Sequence, residues 1–310
     1  MVRITLEAKK VDILDDAVRA RACAAVDHYL SQTDPFLDTS ELRSLKRTFT
    51  ERDGLNARRF LEQLTPRVSP LLEELFGDSL GKFPEKELLE ASCFYRQVTA
   101  VLGELDGKNK GDENSSPDDY VLDLCAGNSL AGILWLLEGR RFGEAPSVYA
   151  VDWKETKLAK LASQKVRASE TSDRFSFKKL NLRNTQAATA YISEVRWRHQ
   201  RDEIARSHGL VVAIHACGSL TDVIIDLAIS QQLPFAVVPC CYDRRQEFLS
   251  PLPETTSRHL SGYFPSQKDY VDTLRIAAIY QRGYQVTLRV LPSSVTDHNR
   301  IIIGAPQHAL

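Results

Sequence analysis

Apolar positions follow two different rhythms along this chain, and the change falls near residue 120. From Val11 to Leu30, and again from Glu85 to Leu105, they recur every three or four residues, which predicts helices with one buried face. In the second of these, Leu88, Leu89, Ala91, Phe94, Val98, Val101 and Leu102 share a side. Val68 to Phe76 predicts another short helix, and Gln32 to Thr39 a loop. Asp106 to Asp119 is rich in Gly, Asn, Ser and Asp without periodicity, and reads as a flexible linker or surface loop. Beyond it, short apolar runs alternate with helical stretches, the signature of a parallel sheet. Strands are expected at 120–125, 147–152, 176–181, 209–216 and 234–240. The helices between them are expected at about 129–139, 155–168, 185–207 and 221–230, with another at 267–282 after a polar loop over about 243–266. Two last apolar runs, 284–291 and 300–303, are joined by a connection too short for a crossover helix, so they are expected to pair antiparallel. The expected architecture is α/β: a helical region over 1–105, a linker over 106–119, and a Rossmann-like seven-stranded domain over 120–310. No internal repeat is visible.

Composition narrows this picture only a little. A chain of 310 residues holds one large or two ordinary domains, and either buries a substantial core. The net charge of −1 excludes a globally basic nucleic-acid binder but leaves room for a local basic face. Between Arg43 and Arg67 basic side chains outnumber acidic ones, which is either an RNA-facing surface or a solvated helix face. No stretch is long and apolar enough to span a membrane, and the N-terminus lacks the apolar core of a secretory signal. Six cysteines are too sparse for a disulfide scaffold, so a reducing compartment such as the cytoplasm is expected.

Candidate chemistry begins at Val121-Leu-Asp-Leu-Cys-Ala-Gly-Asn-Ser-Leu, which reads as buried strand, tight turn and helix start. The turn Cys125-Ala126-Gly127-Asn128 brings bare backbone close to a ligand, and free N–H groups of the helix start point at it. Asp123 is an acceptor for a ligand ammonium or hydroxyl. The next strand ends in Asp152, followed by Trp153, where a ribose-binding carboxylate belongs in a nucleotide crevice. A dinucleotide fingerprint asks for glycine at Cys125, Gly127 and Leu130, and only Gly127 complies. S-adenosylmethionine has no phosphate and needs less clearance, so it is the expected cofactor. Tyr95, Arg96 and Gln97 either cover that cofactor or only pack against the sheet and meet solvent.

Ligands of open α/β sheets bind outside the carboxyl ends of the strands. Those ends here are Cys125, Asp152, Asn181, His215-Ala216-Cys217-Gly218 and Pro239-Cys240-Cys241-Tyr242. If the first, fourth and fifth strands are neighbours, four cysteines gather on one rim. They are small polarizable residues lining a methyl-transfer pocket, or Cys217 or Cys240 adds covalently to a pyrimidine ring, or Cys217, Cys240, Cys241 and His215 bind zinc. The first reading is preferred, with no metal. His215 is either structural or in contact with cofactor. Asp222 either satisfies a helix dipole or faces the pocket, and Tyr242 either stacks on a planar substrate or only packs.

His215-Ala-Cys-Gly-Ser-Leu-Thr-Asp222, Val237-Val-Pro-Cys-Cys-Tyr242 and Val121-Leu-Asp-Leu-Cys-Ala-Gly127, with Asn299-Arg-Ile-Ile-Ile303, resemble one branch of the class I S-adenosylmethionine-dependent methyltransferases. That branch carries His-x-Cys-Gly/Asp-x-x-x-Asp and Pro-Cys-Cys motifs and is similar to tRNA ribose 2′-O-methyltransferases. The match covers about 120–305. It implies cofactor at Asp123, Cys125, Ala126, Gly127, Asn128, Asp152, Trp153, Asn181 and His215–Cys217. It implies a methyl-acceptor pocket and catalytic side chains among Cys217, Asp222, Cys240, Cys241 and Tyr242. Two positions depart from the common pattern: Ser129 replaces a glycine, and Asn181 an acidic residue. The implied function is methyl transfer to an oxygen or nitrogen of RNA, with a small-molecule methyltransferase or a catalytically idle partner subunit as alternatives.

Overall fold

The computed structural model describes residues 70–105, 120–139, 145–169, 172–199, 209–242, 266–291 and 299–307, with the single positions 261 and 296. The expected helix over 11–30, the loop over 32–39, the basic stretch 43–67 and the linker 106–119 lie outside the described residues.

Five apolar runs form parallel strands: β1 (Tyr120–Leu124), β2 (Ser147–Asp152), β3 (Phe175–Lys179), β4 (Gly209–Ala216) and β5 (Phe235–Pro239). Two more, β6 (Tyr284–Val290) and β7 (Arg300–Pro306), pair antiparallel, and β7 also runs antiparallel to β5. The seven-stranded sheet has the order β3-β2-β1-β4-β5-β7-β6, so the direction of winding reverses between β1 and β4. A crevice at the carboxyl ends of those two strands follows from that reversal. β3 starts and ends earlier than its apolar pattern predicts, at Phe175 and Lys179.

Alternation along the strands feeds two separate cores. On one face Val121, Val148, Leu210, Val212, Ala236, Val238, Ile301 and Ile303 are covered by helices α1 (Pro70–Phe76), α2 (Glu85–Leu105), α3 (Leu130–Gly139) and α4 (Lys157–Arg167). On the other, Tyr120, Leu122, Leu124, Val211, Ala213, Phe235, Val237 and Ile302 meet α5 (Thr185–Arg198), α6 (Ser219–Ser230) and α7 (Gln267–Gln281). Burial on both sides is why β1 reads as an almost unbroken apolar run, with Asp123 its one acidic interruption. α2 joins this core directly, since Phe94 and Tyr95 meet the ring of Trp135 edge-on at 5.9 and 4.8 Å between centroids.

Local chemistry sets the helix starts. Thr156, Asn184 and Ser266 each accept a backbone N–H three residues on, capping α4, α5 and α7. Gly209 admits the Tyr120 ring, because a Cβ there would lie 2.2 Å from Cζ of the ring. Among the described residues no helix is long and apolar enough to cross a membrane.

Candidate active site

Five of the eight positive-φ residues among the described residues lie at the carboxyl ends of β1 and β4. Cys125, Gly127 and Ser129 have φ of 61°, 52° and 63°, and His215 and Gly218 both have 60°. Three of these five carry side chains, for which the left-handed region is costly, by about 1–3 kcal/mol where the conformation is strained. Such strain persists where the surrounding structure enforces it. At His215 the register between β4 and β5 slips, and a bulge of this kind re-aims a side chain.

These turns surround a cavity of about 660 Å³, within the range of small-molecule sites. Asp123, Cys125, Ala126, Gly127, Asn128, Asp152, Trp153, Asn181, His215 and Cys217 all line it. Its charged rim is dominated by carboxyl groups: Glu87, Glu90, Asp123 and Asp152 against Arg183 and His215.

The carboxylate of Asp152 accepts the N–H of Gly127 at 3.0 Å and that of Lys154 at 3.2 Å. A carboxylate has about four acceptor directions, so two are left for a ligand hydroxyl. A Cβ on Gly127 would meet nothing nearer than the carbonyl oxygen of Cys125 at 4.0 Å, so the ground above the turn is open. Asn128 ties the crevice together, donating to Glu87 Oε2 at 2.6 Å and accepting from the Thr156 hydroxyl at 2.7 Å.

Asp123 lies beneath the first turn of α3 and is almost fully buried. It accepts the N–H of Gly132 at 2.9 Å. Burial pushes its carboxyl up to about 7, the Gly132 bond opposes, and the charge of Asp152 adds to the rise. Burial likewise raises the Cys125 thiol, with Asp152 and Asp123 contributing.

His215 meets Glu90 across 125 residues of sequence, Nε2 to Oε2 at 2.7 Å. Burial pushes the Glu90 carboxyl up, but hydrogen bonds to His215 and Thr296 and the charges of His215 and Lys86 outweigh it, leaving the group below its ordinary value. The roof of the cavity is therefore Glu87, Glu90 and Ala91 of α2. Tyr95, Arg96 and Gln97, the residues of this helix that the sequence singled out, do not line it. A signal for Glu90 was available: it sits one turn before Phe94 on the apolar stripe. Arg183, Leu180 and Leu182 also line the cavity and carried no pattern of their own.

The expected catalytic group divides. Cys217 lines the cavity, while Cys240, Cys241 and Tyr242, just past the end of β5, are not part of its lining. Asp222 corrects the expectation of a pocket residue, because it is fully buried and holds Arg275 Nε at 2.6 Å. Arg275 also pairs with Asp272 at 3.2 Å, and Asp272 with Arg300 at 3.0 Å. Tyr242 docks on this network, its hydroxyl donating to Asp272 Oδ2 at 3.2 Å and its ring centroid 5.6 Å from the Arg275 guanidinium. Burial, with the charge of Asp272, raises the phenol, so it stays protonated. Ala216 is fully buried, and its carbonyl accepts the Thr221 hydroxyl.

The sulfur atoms of Cys217, Cys240 and Cys241 lie within 4.8 Å of one another. Burial and the neighbouring thiols push Cys240 up, which works against a covalent role, since the nucleophile is the thiolate. The four-ligand zinc reading loses one member: the cluster gathers the three sulfurs without His215, whose Nε2 bonds Glu90 instead.

Residues 90–247, about half of the chain, match a family model described as a methyltransferase domain. The chain belongs to that methyltransferase family. Among curated proteins, the methyltransferase chain is similar to the glutathione S-transferase C-terminal domain-containing proteins. The mouse protein is 25% identical over 219 residues, 62% of this chain and 31% of the relative. The Xenopus laevis protein is 30% identical over 128 residues, 41% of this chain and 17% of the relative. The chain thus spans about a third or less of the relatives it matches. Among solved structures it is similar to the SAH-bound Podospora anserina methyltransferase PaMTH1, at 12% identity and TM-score 0.44 over 82% of this chain and 96% of that one. It is also similar to the SAH-bound magnesium protoporphyrin IX methyltransferase ChlM of Synechocystis, at 13% identity and TM-score 0.38 over 81% and 99%.

Proposed function

We propose that this methyltransferase moves a methyl group from S-adenosylmethionine to an oxygen or nitrogen atom of RNA. The observation that carries the cofactor assignment is the acidic character of the cavity at the β1–β4 reversal. Four carboxyl groups line it against one guanidinium and one imidazole. Such a field repels a pyrophosphate and suits a ligand whose sulfonium and ammonium outweigh its single carboxylate. The donor set fits as well. Asp152 retains free acceptor directions for a ribose diol, the ground above Gly127 is open, and Asp123 lies where an ammonium would meet it.

When bound, S-adenosylmethionine supplies an already activated methyl group, so the protein's task is alignment and exclusion of water. Within this chain Asp152 fixes the turn through Gly127, and Asn128 joins that turn to α2 and α4. The Glu90–His215 pair holds the roof against the end of β4. The support for RNA as acceptor is the resemblance of the His215–Asp222 and Val237–Tyr242 motifs to a branch similar to tRNA ribose methyltransferases, together with the basic stretch Arg43–Arg67. An open cavity counts against the idle-subunit alternative, which requires the crevice to be filled by protein side chains.

Calorimetry with S-adenosylmethionine on wild type and Asp152→Ala tests the cofactor. Binding by the wild type, weakened about tenfold to a hundredfold in the variant, is expected, as for loss of a hydrogen-bonded charge of about 1.5–3 kcal/mol. Absent or equal binding defeats the assignment. Incubation of the full chain with labelled cofactor, total RNA and a metabolite extract then decides the acceptor: label in RNA is expected, and label confined to the small-molecule fraction overturns RNA.

A further inference from the structure

We propose that Cys217, Cys240 and Cys241 form a three-thiolate site for a thiophilic divalent metal ion, with Zn²⁺ the reference occupant, at the edge of the acid-lined cavity. The argument begins with how three sulfur atoms come together. Cys217 follows the end of β4, and Cys240 and Cys241 follow the end of the adjacent β5. Side chains of successive residues in a strand point to opposite faces. Here the chain leaves β5 after Pro239, and the two sulfurs fall 3.6 Å apart. All three lie within 4.8 Å of one another. A tetrahedral zinc–thiolate site with bonds of about 2.3 Å needs sulfur separations of about 3.8 Å. The sulfurs therefore reach a metal by rotation and movement of a few tenths of an ångström to about one ångström.

A disulfide competes less well for the same sulfurs. The Cα atoms of adjacent residues are about 3.8 Å apart, below the usual disulfide span of about 4.4–6.8 Å, so Cys240 and Cys241 are poorly placed to join. Cys217 and Cys241 are exposed, so an ion has a way in, and Cys240 is buried beneath them. The platform is rigid: Tyr242, next in the chain, is held by Asp272, which is braced by Arg275 and Arg300.

Three ligands and a vacant fourth position are the composition of a catalytic rather than a structural zinc site. The balance is simple: three thiols and one Zn²⁺ give a trithiolate complex of charge −1 and three released protons, and the fourth position takes water or a heteroatom of a ligand. Metal uptake does not require S-adenosylmethionine, so failure here and failure of the methyl-transfer reading are separate results.

The test uses the full chain, reduced and stripped with a chelator, then titrated with Co²⁺ alone. The expected result is one equivalent bound, with thiolate-to-cobalt charge-transfer absorption that Zn²⁺ bleaches. Cys217→Ser, Cys240→Ser and Cys241→Ser are each expected to weaken binding by more than about tenfold, since even second-shell losses cost that much. A Cys23→Ser/Cys93→Ser variant is expected to behave as wild type. Should a serine variant misfold, alkylation of wild-type protein gives the answer: Zn²⁺ is expected to protect Cys217, Cys240 and Cys241 together. Lack of charge-transfer absorption, its persistence in the triple serine variant, alkylation unaffected by Zn²⁺, or ready oxidation to a Cys217 disulfide without metal uptake overturns the proposal.

Discussion

Asp123 makes a pH dependence that can be calculated before it is measured. Its carboxyl is almost wholly buried at the floor of the cavity, and burial moves it from the ordinary 3.8 to about 7 in the folded protein. Between those values the folded state holds a proton that the unfolded chain has released. Stability contributed by this group is complete below pH 4 and is lost as pH rises toward 7. Over the span from pH 5 to pH 7 the loss is about 2.3 kcal/mol, because the slope of about 1.36 kcal/mol per pH unit halves as the folded group reaches its own midpoint. Asp123→Asn keeps an oxygen for the Gly132 N–H and cannot ionise, so its stability lacks this component. Urea unfolding of both proteins at pH 5 and pH 8 isolates the effect, because every other titrating group cancels in the difference. The wild type is expected to lose about 2–3 kcal/mol more than the variant across that range. A cationic ligand beside Asp123 favours the charged form, so S-adenosylmethionine is expected to release a proton on binding and to bind more tightly above pH 7. Identical pH slopes for the two proteins refute the reasoning, for they mean that Asp123 is already charged in the native state at pH 5.

Two further perturbations test the framework round the site. Arg275→Met leaves the buried carboxylates of Asp222 and Asp272 short of a cation, and a cost of about 3–5 kcal/mol in urea unfolding is expected. Adding Asp222→Asn is expected to recover part of it, and a loss below 1 kcal/mol in the single variant shows the network to be dispensable. Gly132→Ala places a methyl 2.7 Å from Val148 Cγ1 and 3.0 Å from the Asp123 carboxylate, lifting α3 off β1. A stability loss of about 1–3 kcal/mol with weakened cofactor binding by calorimetry is expected, and unchanged values for both show that α3 tolerates the displacement.

Where the sequence could be read, short-range physics was in control. Apolar runs over β1, β4 and β5 mark strands buried on both faces, and the short connection before Arg300 dictates an antiparallel pair. Strand ends are predictable from the same runs, which is why Cys125, Asp152, Asn181 and His215 emerge as neighbours of one crevice. What stayed hidden depends on contacts far apart in the chain. The apolar stripe marks Glu90 on α2, but nothing near His215 announces their pairing, which needs α2 brought against the carboxyl end of β4. Asp222 looked like a helix-dipole residue or a pocket residue because its partner, Arg275, is 53 positions away. The misplacement of the α2 contact by about one turn has the same origin: helical periodicity identifies the buried stripe but not which part of it meets an opening.

The place of β7 has a consequence for how this sheet is assembled. During synthesis β7 emerges after every other strand described here, yet it lies between β5 and β6 and donates to both. Until it arrives, the growing chain carries an open edge at Phe235–Pro239, just where two of the three clustered thiols follow. Completion of that rim therefore waits on the last of these strands, and the nascent protein is expected to need shielding there from self-association until that ladder closes.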